Sequence, residues 1–408
     1  MTARAHAPLV IVGGGPAGLT TAIAAVRHAP SLAGNVVVLE RATYPREKIC
    51  AGAIGARGDA MLERLGVRVD VPSVVIDEVR TAFARGDSRV REPALGRVVR
   101  RRDFDAALAA AARERGVRIV EGASVTSIDR TRTGASVVTS AGAFEASCIV
   151  GADGVGSTVR RTLGLPFGRL RAQVVEVDTE PTPRDAPRDA LAFDVRDPAL
   201  PGYTWDFPTL VDGRALVCRG AYVLHVGGGA AIDPSDVLRA HLAARGLDLR
   251  SYRQKRFAER AYEPGMPIAK PRVLLVGEAA GIEPLLGEGI AHAILYGALA
   301  GRYLAERVPA SRFAFRSYAA RVALAPRVGL DVAIRTGIAR AFYGAGRAPL
   351  EAGILEAPAF LAAGARYFAG RPFVRELAGA LPAMALSIAA ATTSASRADG
   401  RAPSSTRR

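Results

Sequence analysis

Cysteine and histidine are scarce in this sequence of 408 residues. The three cysteines, Cys50, Cys148 and Cys218, lie far apart, and no C-x-x-C pair occurs. This spacing argues against a disulfide framework and is typical of a reducing compartment, so we expect a cytoplasmic protein. The five histidines form no cluster with the spacing of metal ligands, so we expect no bound metal.

Lysine is almost absent, since only Lys48, Lys255 and Lys270 occur. The net charge of +16 therefore comes from arginine, without a basic patch interleaved with aromatic residues or a recognition motif. We expect no binding to nucleic acid, and an anionic membrane surface suits the excess charge better. No apolar run reaches about 18 residues, so no membrane span is predicted.

The first glycines of the chain lie between a strand pattern and a helix pattern. Residues 8–12 and 35–40 are short apolar runs typical of buried parallel strands. Between them, a G-x-G-x-x-G turn opens a segment rich in small and apolar residues, and an acid ends the second strand. This order makes a dinucleotide-binding fingerprint. The predicted cofactor-binding residues of this unit are Gly13, Gly15, Ala17, Gly18, Glu40 and Arg41.

Each position of the fingerprint has a physical role. Gly13 permits a tight turn, Gly15 lets the backbone approach a pyrophosphate, and Gly18 allows close packing of helix on strand. The helix N-terminus offers free N–H groups to phosphate, and Glu40 can accept hydrogen bonds from a ribose. The alternative is a glycine-rich turn in an ordinary α/β unit.

Two later segments narrow the identity of the dinucleotide. Asp153 and Gly154 belong to a G-A-D-G turn after an apolar strand, and the run 273–290 contains a strand, an acid and a glycine-rich turn. With the first fingerprint, these segments resemble FAD-binding proteins of the aromatic-hydroxylase type. The resemblance implies that Glu278 contacts the ribityl chain and that a helix starting near Gly289 points its N-terminus at the pyrimidine edge of the flavin.

Four further segments, 45–52, 101–108, 203–208 and 284–290, resemble motifs of the geranylgeranyl reductase family, in family order. They have the patterns P-R-x-K-x-C, R-x-x-F-D-x-x-L, Y-x-W-x-F-P and P-x-x-G-E-G-I. The resemblance covers about residues 9–300. It implies that the following residues lie at the FAD: Cys50, Ala51, Arg101, Gly287, Gly289 and Ile290.

Three aromatic residues, Tyr203, Trp205 and Phe207, project from one face if this segment is a strand. We predict that they form a wall against a flat apolar ligand or the flavin, although an aromatic core face under a helix would show the same spacing. Cys50 is a candidate proton donor beside the flavin, or else a small buried hydrophobe. The polar residues beside these motifs are candidates for the site or surface charges: Arg46, Lys48 and Glu288.

The resemblance implies FAD-dependent reduction of carbon–carbon double bonds in an isoprenoid or prenyl-lipid substrate, by hydride transfer from reduced flavin. No second G-x-G-x-x-G unit follows a strand, so the electron donor is NAD(P)H docking transiently or a reduced electron-carrier protein. One alternative is a FAD-dependent monooxygenase that hydroxylates an apolar or aromatic substrate. Another is a non-catalytic flavin-binding module, since Glu278 and Ala51 replace the family's usual aspartate and glycine.

The predicted fold class is α/β. A Rossmann-type FAD-binding domain of non-contiguous segments is joined by an antiparallel-sheet substrate domain and C-terminal helices. Helices are expected over 57–65 and 103–115, the latter with Asp103 as N-cap, and the C-terminal helices are expected to break near Pro382. The predicted boundaries are 1–165 and 271–310 for the FAD-binding domain, 166–270 with 74–92 for the substrate domain, 311–391 for the C-terminal helices and 392–408 for a disordered tail.

The C-terminal helices combine apolar and small residues with interspersed arginines. That composition is typical of helices that lie in a membrane interface. We therefore expect peripheral membrane contact, with simple packing over the FAD-binding domain as the alternative.

Overall fold

A computed structural model describes residues 5–225, 232–344 and 346–399. Its strands and helices alternate along the chain in the order expected for an α/β protein. The strands are β1 (Ala5–Val12), β2 (Val36–Leu39), β3 (Ala53–Gly55), β4 (Ser73–Phe83), β5 (Gly86–Val99), β6 (Arg118–Val120), β7 (Val125–Arg130), β8 (Ala135–Thr139), β9 (Gly142–Gly151), β10 (Arg171–Thr179), β11 (Ala190–Asp194), β12 (Gly202–Val211), β13 (Arg214–His225), β14 (Lys255–Arg260), β15 (Ala269–Lys270) and β16 (Val273–Leu275). The helices are α1 (Pro16–His28), α2 (Ala56–Arg64), α3 (Arg101–Arg113), α4 (Thr158–Thr162), α5 (Pro234–Ala243), α6 (Gly289–Arg307), α7 (Tyr318–Ala323), α8 (Asp331–Phe342), α9 (Arg347–Glu356), α10 (Pro358–Phe368) and α11 (Val374–Asp399).

The first sheet has the strand order β15-β16-β9-β1-β2-β6, with β8 also pairing with β9 and with β7. The strands β16, β9, β1, β2 and β6 run parallel, as apolar runs buried on both faces require. Segments distant in sequence therefore share one sheet, and the predicted Rossmann-type fold of non-contiguous segments is confirmed.

The second sheet has the order β14-β10-β13-β12-β11-β4-β5-β3 and is antiparallel except where β11 pairs with β4. Residues 74–92, predicted to contribute to the substrate domain, lie in its hairpin β4–β5. The faces of β10 alternate, with Val175 and Val177 under α5 and Ala172 and Val174 on the opposite, inner face. The C-terminal helices cover that inner face, through Phe342 among others.

Helices α1 and α6 pack closely because α6 presents glycine at the contact. A Cβ on Gly297 would lie 2.6 Å from the Ala17 carbonyl oxygen, and one on Gly301 would lie 2.5 Å from the Thr21 carbonyl oxygen. The two helices therefore approach to backbone distance, and their N-termini are held on the same side of the first sheet.

Three local expectations were wrong. Helix α3 begins at Arg101 after Arg100 as N-cap, so Asp103 lies in the first turn and does not cap it. Pro382 lies inside α11 rather than ending a helix. That helix continues to Asp399, so it covers the first part of the predicted tail, while residues 400–408 lie outside the described ranges.

A buried ion-pair network joins the C-terminal helices to the FAD-binding domain. Arg57 on α2 donates to Glu288 through Nε at 3.0 Å. Arg335 on α8 lies 3.3 Å from Glu288, 3.5 Å from Glu283 and 3.1 Å from Asp331. Glu288 is thus a buried ionic partner and not a surface charge. The C-terminal helices are fixed by charge as well as by apolar packing.

We expect Arg335→Met to lower the stability of the protein by about 3 kcal/mol or more, because it leaves buried carboxylates without their cation. The matched control is Arg321→Met, whose ion pair with Glu306 is exposed and is worth less than about 1 kcal/mol. Thermal unfolding of both variants measures the difference. Equal midpoints would show that the network does not hold the helices.

Candidate active site

The turn between β1 and α1 leaves a backbone cradle. Gly13 has a φ of +105°, and a Cβ there would lie 2.4 Å from the Ala152 carbonyl oxygen. A Cβ on Gly18 would lie 2.0 Å from the Gly13 carbonyl oxygen, so this position also requires glycine. Gly15 differs, because a Cβ there would meet only the Arg101 Nη2 atom, at 3.7 Å. No side chain caps α1 at Gly15, so its first N–H groups are available to an anion.

Glu40 lies at the end of β2 and turns its carboxylate towards this cradle. It accepts hydrogen bonds from the Gly14 N–H at 3.0 Å and from the Ala42 N–H at 3.1 Å. Arg46 lies 3.3 Å from the same carboxylate, so it belongs to the site and is not a surface charge. Arg41, in contrast, is exposed.

A buried carboxylate links two arginines beside the cradle. Asp105 accepts two hydrogen bonds of 2.7 Å from Arg101 and lies 3.0 Å from Arg46. The Arg101 guanidinium is thereby held next to Gly15, where it adds positive charge at the N-terminus of α1. This pair of arginines suits a diphosphate.

The second predicted turn meets the first from β9. Gly154 has a φ of +75°, and a Cβ there would lie 3.7 Å from the Glu278 carboxylate. Glu278 belongs to the 3₁₀ turn Gly277–Ala279, and burial raises the pKa of its carboxyl group, an effect that Lys48 partly offsets. The Asp153 carboxylate is used within α4, since it accepts from the Ser157 hydroxyl at 2.5 Å and from the Val159 N–H at 3.1 Å.

The loop before α6 is held from both sides. The Glu283 carboxylate accepts from the N–H groups of Leu285, Leu286 and Glu288. Three tyrosine hydroxyls donate to three consecutive carbonyl oxygens of the same loop. The pairs are Tyr222 to Pro284 at 2.9 Å, Tyr343 to Leu285 at 2.6 Å and Tyr203 to Leu286.

This loop leads into the N-terminus of α6 with no side chain as a cap. Gly287 has a φ of +66°, and helix α6 starts at Gly289, followed by the buried Ile290. A Cβ on Gly277 would lie 3.8 Å from the Ala293 Cβ of α6, so the free N–H groups at the start of this helix lie beside the Glu278 turn. They favour a ligand edge that carries negative charge.

Cys50 is a half-buried residue whose thiol lies beside Arg101. Burial raises the pKa of this thiol, Arg101 opposes the shift, and the Glu176 carboxylate adds to it. The group is therefore protonated at neutral pH and can donate a proton. Next to it, the half-buried Ala51 packs against the inner face of the second sheet.

Tyr203, Trp205 and Phe207 share the inner face of β12, as the spacing predicted. Phe193 contacts the rings of Tyr203 and Phe207 edge to face, at 5.4 and 5.2 Å between centroids. The Trp205 ring lies across Gly220, where a Cβ would be 2.1 Å from the ring. Its indole N–H is buried and has no hydrogen-bond partner in the described part of the chain.

The structure brings the first turn, Arg101, Cys50, the Glu278 turn and the Gly287 loop to one crevice. Sequence reasoning missed Glu283, Tyr222 and Tyr343, which fix the loop. Tyr222 lies directly opposite Tyr203 on the neighbouring strand. The signal for it was the alternation of β13, and no local pattern marks Tyr343. The cleft lined by Asp59, Glu63 and Arg97 shares no residue with this crevice.

The crevice fits FAD. Gly15, which has free space around it, and the uncapped N-terminus of α1 can receive a diphosphate, and Glu40 can bind a ribose. The uncapped N-terminus of α6 can receive the edge of the flavin. The dinucleotide can be held by the first turn with Glu40 and Arg101, and the flavin by the Glu278 turn and the N-terminus of α6.

Comparison with known proteins supports FAD as the cofactor. The FAD binding domain family matches residues 6–195. The chain is 28% identical to a menaquinone reductase of Mycolicibacterium smegmatis over 323 residues, 73% of this chain and 76% of the relative. It is 26% identical to a digeranylgeranylglycerophospholipid reductase of Thermoplasma volcanium over 349 residues, 75% of this chain and 79% of the relative.

A solved structure described as geranylgeranyl bacteriochlorophyll reductase-like, from Thermoplasma acidophilum, superposes with a TM-score of 0.75 at 18% identity. It covers 94% of this chain and 96% of its own. The chain therefore resembles digeranylgeranylglycerophospholipid reductase along most of its length, as the motifs predicted, and the match to the FAD binding domain supports FAD as its cofactor.

Gly15→Val should abolish FAD binding while the protein stays folded, because the added side chain meets only Arg101 and fills the diphosphate position. Released flavin per mole of protein, with circular dichroism as the folding check, measures the effect. The control is Gly337→Val, at an exposed glycine whose Cβ would meet nothing within 4 Å. Full FAD occupancy in a folded Gly15→Val protein would contradict the assignment.

Proposed function

We propose that this FAD-dependent oxidoreductase reduces carbon–carbon double bonds of an isoprenoid or prenyl-lipid substrate. The observation that carries the proposal is the position of the protonated thiol of Cys50, which lies beside Arg101 at the cofactor crevice and is followed by Ala51, a residue packed against the aromatic, apolar sheet face. The reductase names of relatives that the chain matches over about three-quarters of its length support this class of chemistry.

The chain's residues have distinct tasks in this reaction. When bound, FAD supplies the hydride chemistry that saturation of a double bond needs. The first turn and Arg101 bind the diphosphate, Glu40 binds the ribose, and the N-terminus of α6 binds the flavin edge. The aromatic face orients the apolar substrate and excludes water.

Cys50 delivers the proton that completes saturation of the double bond. Its raised pKa keeps the thiol protonated before each turnover, and Arg101 stabilises the thiolate that remains afterwards. The electron donor in this proposal is NAD(P)H that docks transiently or a reduced electron-carrier protein, since the sequence has no second dinucleotide fingerprint.

The hydroxylase alternative differs in its product. It predicts an oxygen atom in the substrate and rapid reoxidation of the reduced protein by air, whereas the reductase proposal predicts added hydrogen only. Both use the same cofactor crevice, so product analysis separates them.

In a host that makes unsaturated prenyl lipids, expression of the chain should raise the share of saturated prenyl chains, as measured by lipid mass spectrometry. Trp205→Phe should lose most of this effect with normal FAD content, because the smaller ring leaves the inner face incompletely filled. The control is Tyr252→Phe, at a hydroxyl bonded to exposed Glu180 away from this face. An unchanged lipid profile with a FAD-loaded wild type would overturn the proposal.

We also propose peripheral contact with a membrane, from which a prenyl lipid is drawn. Leu324 directly after α7, Leu330 in the following turn and Ile334 on α8 are exposed large apolar side chains, with exposed Arg327 among them. In the described ranges, no helix is long and apolar enough to cross a bilayer. Apolar residues beside a cation are typical of interfacial binding.

The protein should co-sediment with vesicles of equal parts phosphatidylglycerol and phosphatidylcholine at low salt, and less so as salt is added. Leu324→Ser combined with Ile334→Ser should weaken binding by removing apolar surface. The matched control is Val138→Ser, at an exposed apolar residue on β8. Absence of the wild type from the vesicle pellet would remove the membrane proposal and leave the reductase proposal intact.

A further inference from the structure

The inner face of the second sheet carries a buried carboxyl group that the proposed reduction does not yet use. Glu176 on β10 follows Ala172 and Val174 on that face and is 1% exposed. Neither of its oxygens has a hydrogen-bond partner with ordinary geometry among the residues that the structure describes. A buried polar group of this kind costs free energy, which points to a function.

The two cations nearest to Glu176 are occupied by another acid. Asp178, two residues further along β10, lies 3.2 Å from each of two Arg100 nitrogens and also pairs with Lys255. Lys255 is the direct neighbour of Glu176 on β14 and still pairs with Asp178. Glu176 is therefore left without a cationic partner.

The sheet register directs Glu176 towards the crevice. Its neighbour on β13 is Gly220, which has no side chain, and the Trp205 ring covers that glycine. The charge of Glu176 acts on the thiol of Cys50 and raises its pKa. The Cys50 loop lies beside this part of β10, because the Gly52 carbonyl oxygen accepts from the Val99 N–H at 3.0 Å and the next residue, Arg100, pairs with Asp178.

Burial raises the pKa of Glu176 to about 7, so the group carries a proton in about half of the molecules at neutral pH. Cys50 has a pKa above its ordinary 9.0, so its thiolate takes a proton from a carboxylic acid of lower pKa with a favourable free energy. The titratable and charged groups that face Glu176 from the surrounding elements are Cys50, Arg100, Asp178, Cys218, Lys255 and Glu259.

We propose that Glu176 is the group that returns a proton to Cys50 after each reduction of a double bond, a role that rests on the proposed function. In each turnover the Cys50 S–H bond breaks as its proton goes to the substrate carbon. The O–H bond of the Glu176 carboxylic acid then breaks and the S–H bond forms again.

The carboxylate that remains takes up one proton from water. Its neighbours Lys255 and Asp178 are partly exposed, so they connect the interior to solvent. One proton from water thus replaces the one that enters the product, and no redox change occurs at either residue.

The first test compares the rate of the first turnover with the rate of steady-state turnover. With the FAD-loaded, pre-reduced protein and a prenyl-lipid substrate, Glu176→Gln should complete the first turnover at the wild-type rate, because Cys50 already holds its proton. Steady-state turnover should fall at least tenfold. It should also lose the decrease that the wild type shows as the pH rises through about 7. The control is Glu180→Gln, the same change at an exposed position just beyond this strand.

An equal slowing of the first and later turnovers would show that Glu176 acts on substrate binding or folding, and would overturn the proposal. A steady-state turnover of Glu176→Gln equal to that of the wild type would overturn the proposal as well. If the wild type itself reduces no prenyl substrate, the proposed function fails, and this result is distinct from either outcome for the variant.

The second test needs no substrate and no cofactor. Alkylation of the Cys50 thiol by iodoacetamide should be faster in Glu176→Gln than in the wild type above about pH 7, because loss of the carboxylate charge lowers the thiol pKa. The two rates should converge below that pH, where Glu176 is neutral in the wild type. Cys148 and Cys218 are fully buried, and Cys50→Ala supplies the background rate. Identical rate profiles would overturn the proposed coupling.

Discussion

The conformation of the loop that leads into α6 depends on hydrogen bonds between its backbone groups and buried side chains. Glu283 accepts from its N–H groups, while the hydroxyls of Tyr203, Tyr222 and Tyr343 donate to its carbonyl oxygens. These partners come from the loop itself, from two strands of the second sheet and from the residue that follows α8. A buried loop without such partners would leave polar groups unpaired, at a cost of several kcal/mol. The position of the N-terminus of α6 is therefore set by three parts of the chain at once.

Many of the arginines also form hydrogen bonds with buried backbone groups, which explains part of the arginine excess. Arg160 and Arg260 are fully buried, and both donate to the carbonyl oxygen of Ala279, at 3.1 and 3.2 Å. Arg347 donates to the carbonyl oxygens of Leu200 and Val195, joining α9 to the second sheet. Guanidinium groups carry several donors in a fixed plane, so they suit carbonyl groups at turns and strand ends. Part of the positive charge thus serves the interior, which composition alone does not reveal.

Sequence patterns predicted the first sheet and its glycine turn because those features are local. Period-two alternation also placed Tyr203, Trp205 and Phe207 on one face. The hydrogen-bond partner of the Tyr203 hydroxyl could not be predicted, since Leu286 lies far from it along the chain. Asp103 was a wrong cap because the arginines before it already adopt the helix, and Pro382 is accommodated within α11. Glu176 did leave a signal, as a charged residue at an inward position of an apolar strand.

The non-contiguous cofactor domain has a consequence for synthesis on the ribosome. Strand β9 needs β16 as a neighbour, and α1 needs the glycine face of α6. Both partners are translated only after the whole second sheet. Until Arg307 has left the ribosome, the small apolar face of α1 has no protein surface to cover it. The first domain to be started is thus among the last to be completed, and its apolar surface is open to aggregation during that interval.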